Sequence, residues 1–258
     1  MVTKIKTAVL LAAGKGERLK PYTNDKPKCL VEVGDKAILG HLLDALTQYQ
    51  FEKLIVVTGY KSEIIREYLD FCNTSITIEY VHNEIFCSTN NIYSLWLADR
   101  LIDDQFILFE SDLVFDPDFL NKIQQADKVV LDKFNPVIHD GTTAEVSEHG
   151  LLQNIHMELP SVANGNLYKT VNIYSFSFDT WKKIRDEIER YIGKGETNIY
   201  YETAIKKLVE NDQISLTMAD LTHYWWEEID TVQDLQRAEQ RFLITQSETV
   251  HHWNRNDL

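Results

Sequence analysis

Ala8-Val9-Leu10-Leu11-Ala12-Ala13-Gly14-Lys15-Gly16-Glu17-Arg18-Leu19, with Lys26-Pro27-Lys28 close behind, is the stretch from which the rest of the chain can be read. An unbroken apolar run that passes into small residues and two glycines predicts a buried strand ending in a tight loop. Gly14 and Gly16 carry no side chain, so backbone N–H groups there can approach an anion, while Arg18 and Lys28 add fixed positive charge. Binding a triphosphate requires that combination. A plain strand-to-helix turn would account for the glycines but not for the cations gathered beside them in an acidic chain. The common phosphate fingerprints do not fit: Leu19 stands where the dinucleotide pattern wants its third glycine, and Glu17 follows Gly16 where a P-loop wants lysine.

Outward from this stretch, strands and helices alternate. Residues 53–58 form a β-branched run, and Ser62 is placed to cap a helix through about Leu69. Residues 76–81 read as a strand, Ile92, Leu95, Trp96 and Leu101 as a helix face, and 106–109 as a continuously apolar strand. The expectation is an α/β fold with a doubly wound, mostly parallel central sheet buried on both faces. Beyond Asp112 the strands expected at 128–131, 143–146, 151–155 and 168–178 have few helices between them, which implies a mixed-sheet second half. Helices are expected again at 180–191, 200–209 and 232–242, before a tail from Thr245 without periodicity. The reading is one domain over 1–245, with a nucleotide-binding half (1–125), an acceptor-binding half (126–245) and a tail (246–258).

Composition agrees. The 258 residues are 44% hydrophobic, enough for one α/β domain with a sizeable core. A net charge of −14 argues against nucleic-acid backbones and anionic membranes as partners. Cys29, Cys72 and Cys87 lack metal-type spacing and read as reduced thiols, with Cys29 a core residue despite neighbouring Lys28. No signal peptide or membrane span is visible, so a cytoplasmic protein is expected. The adjacent His251 and His252 read as solvated.

The segment 11–19, continued by Pro21, Thr23, Pro27, Lys28 and Leu30, resembles the signature of the nucleotidyltransferases that make activated sugars and alcohols. Asn91-Ile92-Tyr93-Ser94-Leu95, Glu110-Ser111-Asp112, Asp140-Gly141-Thr142, Tyr168-Lys169-Thr170-Val171-Asn172-Ile173-Tyr174 and Glu228-Ile229-Asp230-Thr231 look like its branch that uses CTP and small amino-alcohol phosphates. That branch includes the phosphocholine and 2-aminoethylphosphonate cytidylyltransferases. The resemblance implies transfer of CMP from CTP to a small amine-bearing phosphate or phosphonate, with release of pyrophosphate.

Residue roles follow from this reading. Leu11, Ala12, Ala13, Gly14 and Gly16 form the nucleotide loop; Lys28 stabilises charge at the α-phosphate, and Arg18 with Lys15 holds the departing pyrophosphate. Asp112, at the end of an apolar strand, and Asp230, late in the chain, are the candidate Mg²⁺ ligands, because Mg²⁺ takes a few carboxylates plus phosphate oxygens and water; capping a helix is the alternative for Asp230. By analogy Gly59, Asn91 and Ser94 lie near the cytosine or ribose. Tyr200-Tyr201-Glu202 and Trp225-Trp226-Glu227-Glu228 are aromatic–acidic clusters suited to an ammonium group, and core packing is the alternative for the tyrosines. The resembled phosphocholine enzymes carry tyrosine-tryptophan-aspartate at the first cluster; the departure at Tyr201 and Glu202 counts against a quaternary amine and leaves a primary amine open, with 2-aminoethylphosphonate and phosphocholine both kept as acceptors. Lys169 is a candidate for the acceptor's phosphonate, with Asp132, Lys133 and Asp140 as further lining. A sugar-1-phosphate nucleotidyltransferase and a non-catalytic nucleotide-binding regulatory module are the competing readings. The sequence leaves the acceptor and the oligomeric state, homodimer included, open.

Overall fold

The computed structural model describes residues 4–160 and 167–253, with side chains through residue 243. In chain order the elements are β1 (Thr7–Ala12), β2 (Glu32–Val33), β3 (Lys36–Ala37), α1 (Ile38–Gln48), β4 (Lys53–Thr58), α2 (Ser62–Cys72), β5 (Thr77–His82), α3 (Asn91–Ala98), β6 (Phe106–Glu110) and β7 (Leu113–Phe115). There follow α4 (Leu120–Ile123), β8 (Lys128–Lys133), β9 (Thr143–Val146), β10 (Leu152–His156), β11 (Leu167–Phe176), α5 (Phe178–Gly193), α6 (Glu202–Glu210), β12 (Thr217–Asp220), β13 (Trp226–Glu228) and α7 (Val232–Trp253).

The opening apolar run is the strand its composition predicts. Every residue of β1 is buried, and alternate side chains divide between two cores. Ala8, Leu10 and Ala12 join Leu54, Val56, Ile107 and Phe109 against helices α1 and α2. Val9 and Leu11 join Ile55, Val57, Phe106 and Leu108 against α3, α5 and α6. A strand covered on both faces has no polar side, which is why it reads as a continuous apolar run.

Among the described residues the main sheet has nine strands in the order β10-β9-β11-β6-β1-β4-β5, with β8 beside β11 and β12 beside β8. Strands β6, β1, β4 and β5 are parallel, whereas β11 runs antiparallel to β6, β8 and β9. The α/β fold is therefore as expected, its parallel and antiparallel strands joined in one mixed sheet. In such a sheet ligands bind beyond the carboxyl ends of the parallel strands, where the glycine loop after β1 and the segment after β6 lie.

Two local expectations are corrected. Lys61, at φ 48°, takes the N-cap of α2 without a side-chain cap, and Ser62 is the first helical residue. The tail expected from Thr245 is helical through Trp253, since residues 245–253 contain neither glycine nor proline to stop the helix. The side chains of His251 and His252 lie outside the described residues. Among the described residues no helix is long and apolar enough to cross a membrane.

Candidate active site

The loop after β1 borders a cleft of about 490 Å³, lined at this end by Leu11, Ala13, Gly14, Gly16, Arg18 and Lys28. Gly16 has φ +63°, and a Cβ on it would lie 3.0 Å from Lys28 Cβ and 3.1 Å from Thr23 Cγ2. Glycine there lets the loop fold down over Lys28, and Thr23 Oγ1 fixes it by donating to the Gly16 carbonyl at 2.8 Å. Gly14 differs: a Cβ there would meet no described atom within 4 Å. Its side chain would project into open space at the edge of the cleft, so the fold does not require glycine at that position.

Lys28 is 9% exposed and donates to Asp112 Oδ2 at 2.6 Å and to Asp230 Oδ1. Burial disfavours its charge, but the two carboxylates outweigh that and hold its pKa above the usual lysine range. Arg18 reaches Asp230 Oδ2 at 2.7 Å. The two aspartates meet because β7 and β13 pair antiparallel, with the Ile229 N–H donating to the Asp112 carbonyl at 2.9 Å. Asp230 does not cap α7. That duty falls to Thr231 and Asp234: the Asp234 N–H donates to Thr231 Oγ1, and Asp234 Oδ2 accepts from the N–H groups of Thr231 and Asp230.

The cleft also carries a group of acidic residues. Glu110, Glu202, Glu228 and Asp140 line it together with Lys169, Asn172 and Tyr200. Glu202 is 3% exposed, and burial pushes its carboxyl up to about 7. Burial, with Asp112 and Glu202 nearby, raises the Glu110 carboxyl well above the ordinary range. Glu228 is raised by burial against the pull of Lys169, whose ammonium lies 3.3 Å away. Lys169 cannot balance all these carboxyls, so this wall suits a cationic group.

Residues 7–243 match the profile of the Nucleotidyl transferase family. The chain belongs to that family. It is 27% identical over 245 residues to the CMP-5'-(3-aminopropyl)phosphonate synthase of Streptomyces rubellomurinus, covering 91% of this chain and 38% of that protein. It is 44% identical over 108 residues to the UTP–glucose-1-phosphate uridylyltransferase AglF of Haloferax volcanii, covering 42% of this chain and 44% of that one. The aligned stretches thus cover less than half the length of each of these two relatives. The solved structure of the CTP:phosphocholine cytidylyltransferase from Streptococcus pneumoniae has the same fold, with a TM-score of 0.77 at 22% identity over 93% of this chain and 100% of that one.

In this nucleotidyl transferase the cleft gathers most residues singled out from the sequence: Leu11, Ala13, Gly14, Gly16, Arg18, Lys28, Asn91, Ser94, Asp112, Asp140, Lys169, Tyr200, Glu202, Glu228 and Asp230. Others stand apart from its lining. Ala12 ends β1 among the core residues, and Lys15 is half-buried beside Glu17. Gly59 lies against the loop's own backbone, where a Cβ would come within 2.6 Å of the Ala13 carbonyl oxygen. Tyr201 is buried in the core, edge-on to Tyr174 at 5.9 Å. Trp226 donates from Nε1 to Asp132 at 2.8 Å and packs on His139; Asp132 and Lys133 line a second, smaller groove beside it. Burial pushes the Cys29 thiol up to about 12, as befits a core residue.

Glu110, Asn172 and Asn83 are among the lining residues to which the sequence reading gave no role. Glu110 was legible as the polar end of an apolar strand. Asn172, at φ 57° in the irregular stretch of β11, looks like an ordinary strand residue in the sequence. Asn83, buried and donating to Thr89 and Ser94 at 3.1 Å each, had no sequence signal.

Proposed function

We propose that this chain is a cytidylyltransferase that moves CMP from CTP to a small phosphonate or phosphate bearing a primary amine. One observation carries the reading: a single cleft joins the cationic glycine loop to a wall of buried carboxyls. A sugar acceptor calls mainly for neutral hydrogen-bonding groups, whereas an ammonium group calls for negative charge. Of the two aromatic–acidic clusters only Tyr200 brings an aromatic ring to the lining, so carboxylates outnumber aromatic faces there, which favours a primary ammonium with three N–H donors.

Backbone N–H groups around Gly14 and Gly16 hold the triphosphate, and Lys28 and Arg18 neutralise its charge. Lys169 receives the acceptor's phosphonate. An acceptor oxygen forms the new bond to the α-phosphorus while the α–β bridging bond breaks, and pyrophosphate leaves with that electron pair. The attacking oxygen is already anionic, so no general base is required, and positioning and charge neutralisation account for the rate.

Asp112 and Asp230 fit a magnesium ion. Asp112 Oδ1 is buried without a hydrogen-bond partner among the described residues, and Oδ2 shares a cation with Asp230. Asp112 and Asp230 would hold the ion, and phosphate oxygens and water would complete its shell. Mg²⁺ bound there neutralises charge on the reacting phosphates.

The test is pyrophosphate release from each of the four nucleoside triphosphates with 2-aminoethylphosphonate, phosphocholine and a panel of sugar 1-phosphates. Release with CTP and 2-aminoethylphosphonate is expected. Turnover confined to a sugar 1-phosphate would overturn the reading, and nucleotide binding without any turnover would make the chain a regulatory module.

A further inference from the structure

We propose that Asn91 positions the acceptor: it ties Glu110 at the end of β6 to the first turn of α6 and so holds the carboxylates that receive the acceptor's ammonium group. The proposal rests on the amine-bearing acceptor argued above. It moves Asn91 from the nucleotide, where the resemblance puts it, to the other end of the reaction.

Both ends of the Asn91 amide are engaged. Nδ2 donates to Glu110 Oε1 at 3.1 Å, and Oδ1 accepts from the N–H of Tyr201 at 3.0 Å. Tyr201 is the N-cap residue of α6, and among the described residues it supplies no side-chain cap. The first N–H groups of a helix lack partners within it. Asn91 therefore supplies to the N-cap N–H of α6, from a different helix, the acceptor that the N3 side chain of a capping box would provide locally. The opposite demands of the two partners fix which way the amide faces. A backbone clamp adds to this, as the Asn90 N–H donates to the Thr197 carbonyl at 3.0 Å.

The residue held in place is Glu202, the first of α6. Its Oε2 is buried with no hydrogen-bond partner among the described residues, and the residue lines the cleft beside Glu110 and Glu228. The Asn91 amide also favours the charged form of Glu202 against its burial. Without it, Glu110 loses a donor and the start of α6 loses a tether. The glycine loop, with Arg18 and Lys28, keeps its own contacts.

The experiment compares 2-aminoethylphosphonate with ethylphosphonate, which lacks the amine, in steady-state assays with CTP. The wild-type ratio of kcat/KM for the two measures recognition of the ammonium group. In Asn91→Ala that ratio should fall by about tenfold, the order expected for losing a hydrogen bond to a charged group, through a higher KM for the amine compound. The KM for CTP should stay within about twofold, because the loop contacts are untouched. A variant that keeps the wild-type ratio, or whose KM for CTP rises in step, overturns the proposal. A wild-type enzyme indifferent to the amine overturns the amine reading and this proposal with it, and that result appears before any substitution is made. Asn91→Asp, which keeps an acceptor for the Tyr201 N–H but loses the donor to Glu110, serves as the second variant should Asn91→Ala fold poorly; it should show the same fall in ratio.

Discussion

Leu19 and Ile229 are buried in one small apolar cluster, and the residues beside them, Arg18 and Asp230, meet at 2.7 Å. Val31, Val33, Ile38, Val114, Leu235 and Ala238 complete the cluster. Apolar packing therefore brings the glycine loop to the late aspartate. The ion pair itself involves an Arg18 side chain that is 68% exposed, and pairs of that kind contribute about 0–1 kcal/mol.

That difference separates two substitutions. Ile229→Ala should cost about 2–5 kcal/mol of stability, as large-to-small changes in a core do. Arg18→Ala should leave the melting temperature almost unchanged while raising the KM for nucleotide. Thermal melts and steady-state kinetics on the two variants check this. Equal destabilisation by both would mean that the ion pair, not the cluster, joins the two segments.

The two glycines beside Ala13 should respond in opposite ways. Gly14→Ala adds a methyl group in open space, so the protein should fold with wild-type stability and bind CTP more weakly. Gly59→Ala drives a methyl to 2.6 Å from the Ala13 carbonyl oxygen, and should cost about 1–3 kcal/mol through overpacking. Melting curves and isothermal titration with CTP separate the two effects.

Glu202 gives stability a pH dependence with a definite sign. Its folded pKa of about 7 lies above its ordinary 4.5, so between those values the folded state binds more protons than the unfolded state. Its contribution therefore falls as pH rises through that window, by an amount on the order of 3 kcal/mol. Glu202→Gln should flatten this part of the profile, as read from denaturant midpoints between pH 4.5 and 7. An amine acceptor binding near neutral pH should also release a proton, visible as a buffer-dependent heat of binding. No change of slope in the variant would count against the assignment.

Chelation with EDTA should abolish pyrophosphate release, and added Mg²⁺ should restore it. Asp112→Ala and Lys28→Ala should each lower turnover by about 10²–10³-fold, as expected for removing a group that stabilises the transition-state charge. Lys28→Ala should also destabilise the protein, because Asp112 and Asp230 would then face each other without their shared cation. Circular dichroism and melts distinguish the two effects, and full activity in Asp112→Ala would refute the metal role.

What the sequence made legible follows from local physics. The strand run 7–12, the glycines and the cations lie within thirty residues, so the loop could be read directly. Alternating apolar runs announced the parallel part of the sheet. Burial by distant packing was not legible. Tyr201 and Trp226 look like neighbours of the acidic residues beside them, but only the sheet and α6 decide that Tyr201 turns into the core while Glu202 lines the cleft. Asn91 could be singled out and Asn172 fell within one of the motifs, but the partner of the one, Glu110, and the left-handed backbone of the other appear only in the fold. The continuation of α7 was missed because polar helix and solvated tail share a composition.

Strand β11 pairs with β6 through Tyr174, Ser175 and Phe176, and with β9 through Leu167, Tyr168 and Lys169. One strand therefore joins the two pairings, with its register shift around Asn172 between them. Severed after residue 125, the first part would expose β6 as an unpaired apolar edge, a template for aggregation rather than a working fragment. On the proposed reading, the spacing between nucleotide and acceptor is set by this one strand and the sheet around it. Redesign toward a different acceptor would act on the side chains and loops above that strand, or on its break at Asn172, where the register shifts between the two pairings.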